Sequence, residues 1–259
     1  MENQTKIVKI EKVKKNRQKY EVTFKTAEAT DTIVFYEDQI IEYRIFKDKE
    51  YTLEEWEKIK KASEIGNVFN KALNYISFKM RTSKEVERYL KEQALSDETI
   101  QEILKKLENY HFIDDEKYAK LFVESSVRNA KGKNYVRNTL REKGVKDNII
   151  SDALINYNED EVFEIILTKM RKEASKKTND SVKRKKEKMV NKLLRDGFDA
   201  SFIKKIMEEI EFSNEDKELL LRDYEKVSNK TEDKNKIIAK LLSKGYNYSD
   251  IKELVFKNK

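Results

Sequence analysis

The chain holds no cysteine and no proline, and only five glycines, one histidine and one tryptophan in 259 residues. Without cysteine there is no disulfide framework, no thiol nucleophile and no Cys-based metal site. A lone His111 excludes a histidine-rich zinc centre and speaks against histidine acid–base catalysis. No Gly-rich G-x-x-x-x-G-K-[ST] loop is present to cradle a phosphate; Gly132 sits between two lysines without that context. No stretch approaches the ~18 consecutive apolar residues of a membrane span. The opening residues MENQTKIVKIEKVKK have no apolar run after their charges, so no secretory signal is expected. These absences predict a soluble, cytoplasmic protein that is not an enzyme, with no cofactor and no metal.

Charge is what the chain has in quantity. Charged residues make up 41% of the chain and hydrophobic ones 38%, which disfavours a thick globule. An elongated stack of thin helical units needs only a narrow apolar stripe per unit and fits better. Thirteen Tyr, twelve Phe and a regular apolar spacing argue against disorder despite the charge. With no proline, long helices meet few breakers, and turns rely on Asn, Asp, Ser and the few glycines. The net charge of +7 is unevenly placed: residues 1–114 are balanced, and the surplus lies in residues 115–259. That asymmetry fits a polyanionic partner met by one part of the molecule, or simply lysine-rich helices that solvate their outer faces.

Val8 and Ile10, then Tyr20, Val22 and Phe24, alternate with polar residues, and Thr32–Tyr36 is a third β-branched and aromatic run. Period two predicts a small antiparallel sheet of three strands, turned at Lys14–Gln18, with Gln39–Phe46 a further strand or a short helix. Three strands are marginal alone, so the sheet should rest on the first helices. Thr52 and Glu55 form a capping box for a helix burying Trp56 and Ile59. A second helix, or its continuation past Gly66, carries Phe69, Leu73 and Ile76.

From there the chain repeats itself. Leu90, Leu140, Leu193 and Leu241 are each followed four residues on by Ala94, Gly144, Gly197 or Gly245, then an apolar residue, then Ile100, Ile150, Ile203 or Ile251. Such a period with helical content predicts tandem three-helix repeats, the glycine closing one helix in the left-handed conformation. The expected organisation is a mainly α protein: residues 1–50 a small N-terminal β region, 51–64 a connecting helix, and four repeats over 65–112, 113–158, 159–212 and 213–259.

Two basic stretches stand out. Phe112–Val145 reads as two short helices joined at Lys131-Gly132-Lys133. The first is capped by Asp114 or Asp115 and buries Tyr118, Leu121, Phe122 and Ser125. The second turns Tyr135, Val136 and Leu140 inward and Arg137, Arg141 and Lys143 outward. From Arg128 to Lys146 there is one acid, Glu142, so Arg128, Lys131, Lys133, Arg137, Arg141 and Lys143 form a candidate contact surface. In the second stretch Lys183, Arg184, Lys185 and Lys186 lie on the first turns of a helix, where cations oppose the macrodipole. That placement suits phosphate contact, and a solvated helix face accounts for it equally. Asp114-Asp115 is read as a cap and not as a catalytic pair, and His111 as a packed or cap-forming imidazole.

Asp114-Asp115 with Tyr118-Ala119, Lys131-Gly132 and Leu140-Arg141-Glu142-Lys143-Gly144-Val145 resemble the centre of the RecX family of recombination regulators. Upstream, Ala72-Leu73, Tyr75-Ile76-Ser77, Arg81-Thr82-Ser83-Lys84-Glu85-Val86 and Leu90 continue the resemblance over about residues 70–155. Departures from the family pattern fall at Ser126, Lys133 and Asn134 or Tyr135. The resemblance implies a regulator that binds the RecA filament on single-stranded DNA and limits its extension, strand exchange and ATP hydrolysis; a monomer is expected. The other readings are a nucleic-acid-binding helical-repeat module that acts without RecA, through helix-turn-helix outlines in its repeats, and a purely structural helical scaffold.

Overall fold

The computed structural model describes residues 4–14, 16, 18–93, 95–212 and 216–257. Its elements begin with β1 (Gln4–Lys12), β2 (Lys19–Lys25), β3 (Thr30–Tyr36), α1 (Glu37–Glu42), β4 (Glu50–Thr52) and α2 (Leu53–Ser77). Helices follow without further strands among the described residues: α3 (Ser83–Lys91), α4 (Asp97–Asn109), α5 (Asp115–Arg128), α6 (Lys133–Glu142), α7 (Asp147–Leu154), α8 (Glu159–Ala174), α9 (Val182–Arg195), α10 (Ala200–Glu208), α11 (Asp216–Ser228), α12 (Lys234–Ser243) and α13 (Tyr248–Lys257). The chain forms two compact units, Met1–Tyr118 with Lys143–Val145, and Ala119–Glu142 with Lys146–Lys259.

In the first unit the sheet is antiparallel with order β3-β2-β1-β4. It has a fourth strand that the hydropathy pattern does not reveal, because β4 is three residues long and carries one apolar side chain, Tyr51. Gln39–Phe46 is no strand; the chain there leaves the short helix α1. Val8 does not share the buried face with Ile10. A bulge between Ile7 and Lys9 shifts the register, leaving Val8 exposed while Ile7 and Ile10 face the partners Phe24 and Val22. The Lys14–Gln18 turn includes Lys15 and Arg17, which lie outside the described residues; Asn16 Oδ1 accepts the Gln18 N–H at 3.0 Å.

The capping box at Thr52 and Glu55 forms, and α2 runs unbroken through Gly66. Its first half lays Trp56 and Ile59 on the sheet, with the Trp56 ring 4.8 Å from Phe24 and 5.5 Å from Tyr51. Ser63 and Asn67 donate to the Val34 carbonyl at 2.9 and 2.8 Å, occupying an acceptor that the edge strand β3 would otherwise expose. The second half of α2 buries Val68 and Ala72 against Val86, Leu90, Ile100, Ile103 and Leu107 of α3 and α4, and Phe69, Leu73 and Ile76 are partly buried around them.

The repeating residues have repeating environments. Leu90, Leu140, Leu193 and Leu241 are fully buried, as are Ile100, Ile150, Ile203 and Ile251 to within a few per cent. Gly144, Gly197 and Gly245 all take positive φ, of 80°, 87° and 89°. Ala94, at the same place in the first copy, lies outside the described residues.

Each of these glycine turns also receives the start of an earlier helix. Thr82, the N-cap of α3, donates to the Lys143 carbonyl at 2.7 Å, and Ser83 N–H donates to Asp115 at 2.8 Å. In the second unit Ser181, the N-cap of α9, donates to the Lys244 carbonyl at 2.8 Å, and Val182 N–H to Asp216 at 2.8 Å. Gly132 and Asn134 N–H groups before and within α6 donate to the Asp196 and Gly197 carbonyls at 2.8 and 3.2 Å. Thr82, Asp115 and Lys143 thus recur in role as Ser181, Asp216 and Lys244.

Candidate functional site

The first basic stretch departs from its sequence reading in which face it buries. Asp114 is the cap of α5, accepting the Lys117 N–H at 2.8 Å, while Asp115 accepts from Ser83. The buried residues of α5 are Ala119, Val123, Ser126 and Val127, not Tyr118, Leu121, Phe122 and Ser125. The helix is turned by one residue from the expected face, because the inner positions are filled by small side chains and the larger ones lie at the margin; Leu121 is exposed. In α6, Val136 and Leu140 are buried as expected and Tyr135 is half-buried. His111 is exposed with φ of 57°, so its backbone, not a packed imidazole, closes α4, and Phe112 N–H reaches the Leu107 carbonyl at 2.9 Å.

Most cations of this stretch are matched by carboxylates from other parts of the sequence. In the second unit Lys131 pairs with Asp196 at 2.5 Å, Lys133 with Glu159, Arg141 with Asp147 at 2.6 Å, and Arg128 loosely with Glu124 at 3.9 Å. Arg137 differs: its partner is the neutral Asn134 side chain at 3.3 Å, and among the described residues it makes no ion pair. Lys143 lies in the first unit, where its ammonium meets Glu85 at 2.9 Å and stands over the Tyr118 ring. Burial pushes the Lys143 ammonium down, but hydrogen bonds with Glu85 and Tyr118 outweigh it and hold the group above its ordinary value. Counting acids only between Arg128 and Lys146 misses Asp196, Glu159 and Glu85. Asp196 was findable, because it stands before the glycine where the neighbouring copies carry Lys143 and Lys244.

The second stretch keeps more of its charge. Helix α9 begins at Val182 with no acid in its first turn. Its positive end is offset from outside the helix: Asp216 takes the Val182 N–H, and Asp180 lies 3.7 Å from Arg184 and 2.5 Å from Lys188. Lys185 is structural, donating to the Ala174 and Lys176 carbonyls at 3.0 and 2.7 Å and so satisfying the end of α8. Lys186 stands over the Phe212 ring at 4.7 Å. Among the described residues Lys183, Lys186 and Lys192 make no ion pair and are exposed. Beside α9 a cleft of about 570 Å³ gathers Lys185, Lys188, Lys192 and Arg195 with Glu173 and Asp180. The arrangement offers a helix bearing cations to an anionic surface.

Among the described residues no group of three or more His, Asp or Glu is placed to hold a metal ion, and no helix is long and apolar enough to cross a membrane.

Comparison with known proteins places these features in a family. The family models for RecX match here, the first three-helix domain at residues 69–107 and the second at 114–154. The regulatory protein RecX of Streptococcus agalactiae is 30% identical over 259 residues, covering 95% of this chain and 97% of the relative. That of Listeria monocytogenes is 29% identical over 265 residues, covering 98% and 97%. A crystal structure of regulatory protein RecX superposes with a TM-score of 0.62 at 27% identity, covering 79% of this chain and 99% of the other. The crystal structure of RecX from Lactobacillus salivarius gives 0.53 at 35% identity, covering 57% and 97%. Since both the helical domains and nearly the whole length are shared with these regulators, the chain belongs to the RecX family.

Proposed function

We propose that this protein regulates the RecA recombinase by binding the RecA filament on single-stranded DNA and limiting its ATP hydrolysis and strand exchange. It acts in the cytoplasm, as a monomer, and catalyses no reaction of its own. The observation that carries this reading is the match to the RecX regulators over nearly the whole chain. On this reading the four successive three-helix repeats, over residues 65–112, 113–158, 159–212 and 213–259, each supply weak contacts. Several such contacts to one filament add up to useful avidity. The contact residues are Arg128, Lys131, Lys133, Arg137, Arg141 and Lys143, with Lys183, Arg184, Lys185 and Lys186 as the second set. Arg137 and the exposed Lys183 and Lys186 of α9 rank first among them, because they make no ion pair among the described residues.

The test is RecA ATP hydrolysis on single-stranded DNA with this protein at well below one copy per RecA protomer. Inhibition at that ratio supports a filament regulator; an unchanged rate rejects it. The alternative, a nucleic-acid-binding module acting without RecA, is favoured by the exposed cations of α9. It predicts salt-sensitive binding to bare DNA with no effect on RecA.

A further inference from the structure

The turn between α2 and α3 presents an aromatic ring to solvent in a basic setting. Phe78 is 87% exposed, an unusual position for a phenyl ring, and Met80 beside it is 37% exposed. The turn is clamped at both ends. On the α2 side Tyr75 stacks on Tyr89 of α3, with centroids 4.3 Å apart and planes within 4°. On the α3 side the Arg81 guanidinium covers the Tyr75 ring at 4.2 Å, and Thr82 closes a capping box with Glu85. Arg81, Tyr75 and Tyr89 thus form a three-layer stack that fixes where the chain leaves α2 and enters α3. Phe78, at the C-cap of α2, projects from this fixed turn. Lys79 and Arg88 are exposed and make no ion pair among the described residues, while Lys84 shares Glu87 with Lys91.

We propose that this turn is a stacking contact for an unpaired base of a single-stranded nucleic acid, with Phe78 the stacking face and Lys79 the partner of the adjoining phosphate. The occupant is argued from chemistry. A highly exposed ring next to the unpaired, exposed Lys79 matches a ligand that alternates flat apolar faces with negative charges, which is what single-strand platforms use. An apolar protein surface would be met by a broader apolar patch, whereas the chain neighbours of Phe78 here are Ser77 and Lys79, both exposed, and the nearby Met80 is far less exposed than the ring. A preorganised turn also limits the ordering cost of binding. The contact deepens the reading of this protein as a regulator acting on DNA-bound RecA, and it is tested without RecA so that the two stand or fall separately.

The experiment uses the full chain and two 20-nucleotide strands, oligo(dT) and an abasic strand with the same phosphates and no bases. Phe78→Ala is expected to weaken oligo(dT) binding by about tenfold, the loss typical of one stacked base. The abasic strand should bind both proteins equally. Phe78→Trp adds an exposed reporter to the fully buried Trp56, and its fluorescence should be quenched saturably by oligo(dT) but not by the abasic strand. Circular dichroism of Phe78→Ala should match the parent, since an exposed side chain contributes little to the fold. The proposal is overturned if the parent binds oligo(dT) no better than the abasic strand, or if Phe78→Ala binds oligo(dT) normally. Normal binding together with a lost effect on RecA ATP hydrolysis would assign the turn to a protein partner instead.

Discussion

The Thr82 hydroxyl serves two backbones at once: it accepts the Glu85 N–H at 3.2 Å and donates to the Lys143 carbonyl at 2.7 Å. One oxygen caps α3 and fastens it to the turn after α6, 61 residues on. Thr82→Val keeps the shape and removes both bonds, leaving a partly buried carbonyl and an uncapped N–H. A loss of roughly 2 kcal/mol in urea unfolding is expected, the sum of a lost cap and an unsatisfied, partly buried acceptor. Thr82→Ser, which keeps the oxygen and matches Ser181 of the second unit, should lose less than half of that.

Gly132 and Gly197 meet backbone to backbone. A Cβ built on Gly132 would lie 2.2 Å from the Gly197 carbonyl oxygen, and one on Gly197 2.3 Å from the Tyr135 nitrogen. Neither obstacle is a flexible side chain. Gly197 also has φ of 87°, whereas Gly132 lies outside the left-handed region. Gly132→Ala therefore isolates the packing cost and Gly197→Ala adds the conformational one, about 1 kcal/mol more. Gly245→Ala, whose nearest obstacle is the Ser181 hydroxyl at 2.7 Å, should lie below Gly197→Ala. Equal melting temperatures for Gly197→Ala and Gly245→Ala would show that the backbone contact does not matter.

Much of this architecture is legible in one dimension because its markers are local. A capping box such as Thr52–Glu55 spans four residues, and a closing glycine declares itself beside the leucine and isoleucine that bracket it. What the sequence hides depends on partners far away. Lys131 reads as a free cation because Asp196 lies 65 residues on. The face of α5 is misread because hydropathy ranks Leu121 and Phe122 above Ala119 and Ser126, although the inner positions favour the smaller residues. Val8 is misassigned because a bulge has no hydropathy signature. The stack of Arg81, Tyr75 and Tyr89 looks like two ordinary helix residues and one turn residue until α2 and α3 are laid side by side.

Acid should loosen the second unit through Asp223. This carboxylate is 4% exposed, accepts from the Tyr246 hydroxyl at 2.8 Å and pairs with Lys244 at 2.8 Å. Burial alone would raise it, but the bonds from Lys244 and Tyr246 outweigh that and hold it below the ordinary aspartate value. A carboxylate lowered in the folded state contributes stability above its unfolded value of about 3.9 and loses it as pH falls through the folded value. Melting temperature should therefore fall below about pH 4, with Glu85, likewise lowered, contributing in the first unit. Asp223→Asn should be less stable at pH 7 by about 1.5–3 kcal/mol, the range for a hydrogen bond to a charge. It should also show a shallower acid transition; an unchanged transition would assign the acid sensitivity elsewhere.

Cations that are already paired should behave differently from those that are not. Lys131 and Asp196 are both partly buried, so Lys131→Ala leaves a carboxylate without its partner and should cost about 1 kcal/mol of stability. The same change adds little to the loss of strand binding, because the ammonium is committed to Asp196. Arg137→Ala removes a half-buried guanidinium and Lys183→Ala an exposed ammonium, neither of which makes an ion pair among the described residues. Their stability should stay within about 0.5 kcal/mol of the parent, as for surface changes generally. If these side chains meet phosphates, each change should flatten the slope of log affinity against log salt for oligo(dT) by about 0.7, one counterion's share on a single strand. Titrations at several salt concentrations with the three variants separate the cases. A slope that falls equally for Lys131→Ala and Arg137→Ala would mean that ion pairing within the fold does not withhold charge from the partner, and the ranking of contact residues would have to be abandoned.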